Sequence, residues 1–227
     1  MKSVENLQVE RHNDIKGYTL DIDATGIVAE KESAKMTYKG FKGYMPIVGH
    51  IAENGLALGD EFRNGNDAPA ARNLEFIKHC ERQMPKNKKI KALRADSAAY
   101  QADIINYCER RCIKFAIGSD LDEAVLKTIR AIPDNDRSSC KSGYIAETIH
   151  SMNKTKEAFR LIYKPVIRRP YQRSIFSEQD TSVKDTVIAT NRIESSEEGV
   201  KWYNKRGDHS ENRKDRLWHE KDALWAM

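Results

Sequence analysis

No apolar run in the chain is long enough to cross a bilayer, and Met1–Glu10 shows no secretory pattern, which argues against a membrane partner. Cysteine is sparse: Cys80, Cys108, Cys112 and Cys140 are irregularly spaced. The Cys108-x-x-x-Cys112 pair lacks a second pair and a nearby histidine, so a structural zinc is not expected. Reduced cytosolic thiols fit this usage better, and the expected location is cytoplasmic. Internal repeats and low-complexity linkers are absent, and six scattered histidines form no pattern that assigns them a role.

What is present is charge. Lys, Arg, Asp and Glu make up 32% of the 227 residues against 39% hydrophobic, with a net charge of +5 and a pI near 8.9. That length allows one large domain or two small ones. The basic balance favours a polyanionic partner, although many proteins without one share it.

Hydrophobic patterning organises the chain. Met1–Gly17 has no clear period and reads as a loop or severed end. Tyr18–Val28 reads as a buried strand, Tyr44–Ala52 as a second, and Asn54-Gly55 as a hairpin turn into a third over Leu56–Arg63. Pro69 opens a helix to about Arg82, with Ala71, Leu74, Ile77 and Cys80 on one face. A strand at Ile90–Arg94, a helix at Ala99–Arg111 and a strand at Lys114–Ile117 follow. Three strands, a helix, a strand, a helix and a strand match a ribonuclease-H-like α/β arrangement, a mixed sheet flanked by helices. Leu121–Ala131 reads as a helix, and Pro133–Cys140 as a loop. Strands are expected at Gly143–Ser151, Ala158–Val166, Tyr171–Phe176 and Thr186–Ala189, then a helix over Ser195–Trp218 with Val200, Tyr203 and Leu217 inward. The expected division is a core over 18–118, a strand-rich insertion over 119–190, a helix completing the core over 191–218, and an aberrant tail over 219–227.

In such a fold three acids would converge: Asp23 in the first strand, Asp96 just past the fourth, and Glu211 on the late helix. Clustered carboxylates suit hard cations, which could activate a water or 3′-hydroxyl and stabilise a departing oxygen at phosphorus. The alternative for any one Asp at a strand end is a turn former or helix cap.

The ordered segments Leu20-Asp-Ile-Asp-Ala-Thr25, Tyr38-Lys-Gly-Phe-Lys-Gly-Tyr-Met-Pro46, Arg63-Asn-Gly-Asn66, Leu93-Arg-Ala-Asp-Ser97, Ile188-Ala-Thr-Asn191 and Trp202–Arg213 resemble bacterial insertion-sequence transposases of the Asp-Asp-Glu type. The resemblance covers nearly the whole chain to Arg213. It implies metal-dependent cleavage and strand transfer at element ends, with Mg²⁺ or Mn²⁺ held by Asp23, Asp96 and Glu211. In the family the first acid is followed, one residue on, by Thr, which selects Asp23 over Asp21. The family's Tyr-Arg-Glu-Lys signature maps onto Tyr203, Arg206 and Glu211, with Arg206 gripping a DNA phosphate; solvated surface charge is the other reading of Arg206. Arg213 extends this basic set. In the insertion, Arg160, Lys164, Arg168, Arg169 and Arg173 interleave with Tyr163 and Tyr171 and resemble the family's DNA-holding strands, with a solvated face as the alternative. Double-stranded DNA carrying the transposon ends is the implied partner, with a homodimer on DNA and location at the bacterial nucleoid.

The chain departs from the family at its end. The signature Lys is expected at position 218, where this chain has Trp218. Suitable codons for Lys214–Met227, read in another frame, spell Lys-Ile-Gly-Phe-Gly-Met-Lys-Arg-Met-Pro-Cys-Gly-Gln, the continuation the family would supply. A small out-of-frame deletion after Arg213, in a copy already short at its front, is therefore expected, and with it defective activity. A non-catalytic DNA-binding remnant is the alternative; a ribonuclease-H-like nuclease acting on RNA–DNA hybrids or junctions is a third.

Overall fold

A computed structural model of the protein describes residues 17–140, 143–165 and 185–206. Its first strand, β1 (Gly17–Ala24), pairs antiparallel with β5 (Ile47–Ile51), which pairs antiparallel with β6 (Ala57–Glu61). On the other side, β1 runs parallel to β7 (Lys89–Ala95), and β7 runs parallel to β8 (Lys114–Gly118). Helix α1 (Asn73–Gln83) links β6 to β7, and α2 (Ala102–Arg110) links β7 to β8. The sheet order β6-β5-β1-β7-β8 is that of a ribonuclease-H-like core.

The later strands extend this same sheet. After α3 (Glu123–Arg130) come β9 (Arg137–Cys140), β10 (Gly143–His150), β11 (Phe159–Lys164) and β12 (Thr186–Thr190). β12 joins antiparallel to β8, and the order continues β12-β11-β10-β9, giving nine strands. The last described helix, α4 (Ser196–Asn204), follows β12.

Period-2 alternation sends side chains to two cores. Phe115, Ile117, Val187, Ala189, Phe159 and Leu161 pack on one face with Phe76, Ile77, Ile104, Ile105, Val125 and Ile129 from α1, α2 and α3. Their neighbours Ala116, Ile188 and Ile162 point the other way and meet Val200, Trp202 and Tyr203 of α4. Burying a side chain of Ile or Phe size stabilises by about 1.5–3 kcal/mol. The two faces thus clamp the sheet between three helices and one. α4 begins with a reciprocal capping box, in which Ser195 Oγ accepts from the Glu198 amide while Glu198 accepts from the Ser195 amide. Among the described residues, no helix is long and apolar enough to cross a membrane.

Several expected elements shift. The strand read over Tyr18–Val28 ends at Ala24; Ile27–Val28 is a separate strand, β2. With β3 (Lys35–Met36) and β4 (Lys42–Tyr44) it forms a small sheet of order β2-β4-β3 at the tip of the β1–β5 connection. A Cβ on Gly26 would lie 2.5 Å from the Phe41 ring, so glycine there leaves room for that ring against the turn. The helix expected from Pro69 begins at Asn73, because Arg72 takes a left-handed φ of 56° while pairing with Glu61 and Asp67. Asn73 then anchors the helix start by donating to the carbonyls of Pro69 and Ala98. The helix expected from Ala99 starts at Ala102, after a 3-10 turn over Ser97–Ala99. Ser138-Ser-Cys, read as loop, lies in β9, an edge strand held by its backbone pairing to β10.

Candidate active site

Parallel pairing of β1 and β7 fixes the centre of the site. Asp21 is the register partner of Arg94, and two further residues along each strand lead to Asp23 and Asp96 at the same C-terminal edge of the sheet. Alternation sends Asp21, Asp23 and Arg94 to the face covered by α4, and Asp96, one residue past β7, lies close enough for its charge to act on Tyr203 of that helix. Asp96 also caps the following 3-10 turn, its Oδ1 accepting from the Ala98 amide at 3.1 Å.

Asp21 and Asp23 occupy different environments. Asp21 is fully buried and accepts two bonds of 2.6 Å, from Arg94 Nε and Nη2. His50, its register partner on β5, places Nε2 3.6 Å from the same carboxylate. Burial pushes the Asp21 carboxyl above its ordinary value, against the pull of Arg94 and of the more distant Arg206. Asp23 is only half-buried, at the strand end.

Helix α4 closes over this edge. Arg94 Nη1 donates to the Trp202 carbonyl at 2.7 Å, and the Arg94 and Arg192 guanidiniums lie 5.1 Å and 4.0 Å from the Trp202 ring centre. Tyr203, the next residue, is the one that reaches the aspartates. A Cβ on Gly118 would lie 2.7 Å from the Tyr203 hydroxyl and 3.3 Å from the Ser97 amide, so the hydroxyl sits over the end of β8 beside the Asp96 turn. Burial raises the Tyr203 pKa; the charges of Asp96 and Asp23 push it the same way and Arg206 opposes them. Arg206 lies 5.1 Å from the Tyr203 ring, and its Nη1 is buried without a hydrogen-bond partner among the described residues.

The structure therefore brings Asp23, Asp96, Tyr203 and Arg206 together. Glu211, Arg213, Arg168, Arg169 and Arg173 lie outside the described residues, as do Tyr171 and Leu217. Among the described residues no three acids, histidines or cysteines cluster as a metal site would require. Arg160 is held by its own fold: it donates to the carbonyls of Arg192 and Glu194 and pairs with Glu147, which fixes the loop entering α4. Arg94, Trp202 and Gly118 escaped the sequence reading. The one signal for Arg94 was its repeat of the Asp21/Asp23 spacing, two residues before Asp96 on the adjacent strand.

Comparisons with known proteins bear on this arrangement. No curated protein matches the chain. Among solved structures it is similar to piggyBac transposase, in a cryo-EM synaptic complex with hairpin DNA, at 10% identity and a TM-score of 0.49. The likeness covers 89% of this chain and 40% of that one, so this chain spans less than half of that transposase's length. The family model described as transposase DDE domain, group 1, matches residues 5–216, and the chain belongs to that family of DDE transposases.

Proposed function

We propose that this chain is the catalytic core of a metal-dependent DNA strand transferase of an insertion sequence, with Asp23, Asp96 and Glu211 as its acids. The observation that carries the proposal is the parallel β1–β7 register, which delivers Asp23 and Asp96 to one sheet edge under Tyr203. Two carboxylates on adjacent strand ends are the donors a hard divalent cation takes, and they fit Mg²⁺ or Mn²⁺. Such ions, when bound, supply activation of a nucleophilic oxygen and charge neutralisation at the leaving oxygen. Asp23 and Asp96 would hold them, with Glu211 completing the set.

The chain's own residues supply the rest of the site. Arg94 fixes the two acid-bearing strands and α4 in one register. Arg206, whose Nη1 has no hydrogen-bond partner among the described residues, would bond a DNA phosphate oxygen beside the acids. Tyr203 remains protonated at neutral pH, as its raised pKa requires, and can donate to the same phosphate. A homodimer on the DNA of the bacterial nucleoid is part of this reading.

A purified chain that nicks supercoiled plasmid with Mg²⁺ or Mn²⁺, and loses the activity on Asp96→Ala and on Asp23→Ala, supports the catalytic reading. Soluble, folded protein without metal-dependent cleavage counts against it.

Trp218 in place of the signature Lys, and the family-like residues that suitable codons for Lys214–Met227 would spell in another frame, favour a second reading: a decayed copy that binds DNA without chemistry. It predicts salt-sensitive, sequence-independent binding indifferent to Asp96→Ala. Sequencing the DNA across the codons for Arg213–Met227 and beyond separates the two. Family-like residues continuing in the shifted frame support decay, and their absence removes it.

A further inference from the structure

The small sheet at the tip of the β1–β5 connection concentrates exposed apolar side chains. Of the seven large hydrophobic residues that are exposed among the described residues, four belong to it or its edge: Val28, Met36, Tyr38 and Phe62, each at least 60% exposed. Patches of this kind mark interaction surfaces. Register places Met36 and Lys42 as partners, with Tyr44 on the same face two residues on and Val28, opposite Gly43, on the other face; the Phe62 ring lies 4.7 Å from that of Tyr44. Tyr38 stands in the turn following β3, with the Lys39 ammonium 5.7 Å from its ring centre.

The charge around these rings selects the occupant. Lys42 shares the face of Met36 and Tyr44, and Lys39 lies beside the Tyr38 ring, whereas Lys35, opposite Gly43, lies on the other face. Pairing this face with its copy in a second chain would oppose lysine to lysine, whereas a polyanion is attracted. Lysines beside exposed aromatic rings are the combination that holds unpaired nucleic acid, because bases stack on the rings while the backbone meets the ammonium groups. A paired duplex keeps its bases inside the helix and cannot use the rings.

We propose that this sheet is a stacking platform for an unpaired stretch of DNA next to the Asp23–Asp96 edge. The sheet is continuous with that edge: one residue past Asp23, Ala24 ends β1, and the Thr25 amide donates to the Pro46 carbonyl at 3.0 Å where the small sheet begins. The platform rests on the DNA-processing function proposed above and names the form of substrate it takes.

The test is fluorescence anisotropy of the full chain with two labelled oligonucleotides, a blunt duplex and the same duplex ending in an unpaired thymidine tract. The expected result is tighter binding of the tailed duplex. Tyr38→Ala and Phe62→Leu, the second keeping an apolar side chain over Tyr44, should each weaken tailed-duplex binding by roughly fivefold to a hundredfold and leave blunt-duplex binding nearly unchanged. Lys39→Gln with Lys42→Gln should weaken both and flatten the salt dependence. Equal binding of the two DNAs, or equal losses on both, overturns the platform while leaving DNA binding intact. No binding of either overturns the DNA function itself. A dimer in sedimentation that Phe62→Leu converts to monomer assigns the surface to self-association and also overturns the proposal.

Discussion

Arg94 and Asp21 are register partners on adjacent parallel strands, and their side chains meet through two hydrogen bonds of 2.6 Å at a site closed to solvent. The pair ties together the strands that end in Asp23 and Asp96. Through its third bond, to the Trp202 carbonyl, it ties both to α4. The sheet edge and the helix that covers it are therefore held by one guanidinium, two residues upstream of the candidate acids.

Breaking this pair from one side should cost far more than removing it whole. Arg94→Met leaves a carboxylate buried beside His50, and an orphaned buried charge costs about 3–5 kcal/mol. Asp21→Leu combined with Arg94→Met removes both charges and should recover most of that loss. Urea unfolding of the single and double variants measures the difference. A double variant as unstable as Arg94→Met would show that the cost lies in lost packing on Trp202 instead.

Gly118→Ala should destabilise the protein by about 1–3 kcal/mol through overpacking, because its Cβ would lie 2.7 Å from the Tyr203 hydroxyl. Removing that hydroxyl should relieve the clash. Tyr203→Phe is thus expected to stabilise in the Gly118→Ala background and not in the parent. Thermal unfolding of the four proteins reads the coupling, and additive effects would mean that Tyr203 has moved aside.

These contacts mark the boundary of what the sequence disclosed. The core strands and helices were legible because runs such as Ile90–Arg94 and Lys114–Ile117 carry the apolar pattern that the buried sheet demands. The small sheet was not, since strands of two or three residues carry no period to read. β9 was hidden for another reason: its Arg-Ser-Ser-Cys is polar because an edge strand needs only backbone partners. The candidate acids were visible as residues in recurring segments, but their convergence depends on a register that no local pattern encodes. Asp21 illustrates the difference, lying beside Asp23 in sequence yet committed to Arg94.

His150 predicts a loss of stability on the acid side. Burial lowers its pKa below 6.5, against the opposing charge of Asp122, and its Nδ1 lies 2.9 Å from the Thr128 hydroxyl. With the folded-state pKa depressed, the unfolded chain binds the extra proton first, so this contribution is complete above pH 6.5 and declines as pH falls below it. Urea midpoints compared at pH 7.5 and pH 5.5 should therefore fall less for His150→Asn than for the parent. Equal falls would place the acid sensitivity elsewhere.

The four cysteines should separate into two reactivity classes. Cys80 and Cys108 are buried, and burial pushes both thiols up to about 12. At pH 8 only about one such thiol in ten thousand is ionised, and the thiolate is the attacking species. Cys112 is exposed and Cys140 half-buried, so a water-soluble disulfide reagent can reach them. Native protein should titrate two thiols quickly and all four only after unfolding in urea. Fast labelling of a third would mean that α1 or α2, which carry Cys80 and Cys108, opens from the sheet far below the global unfolding threshold.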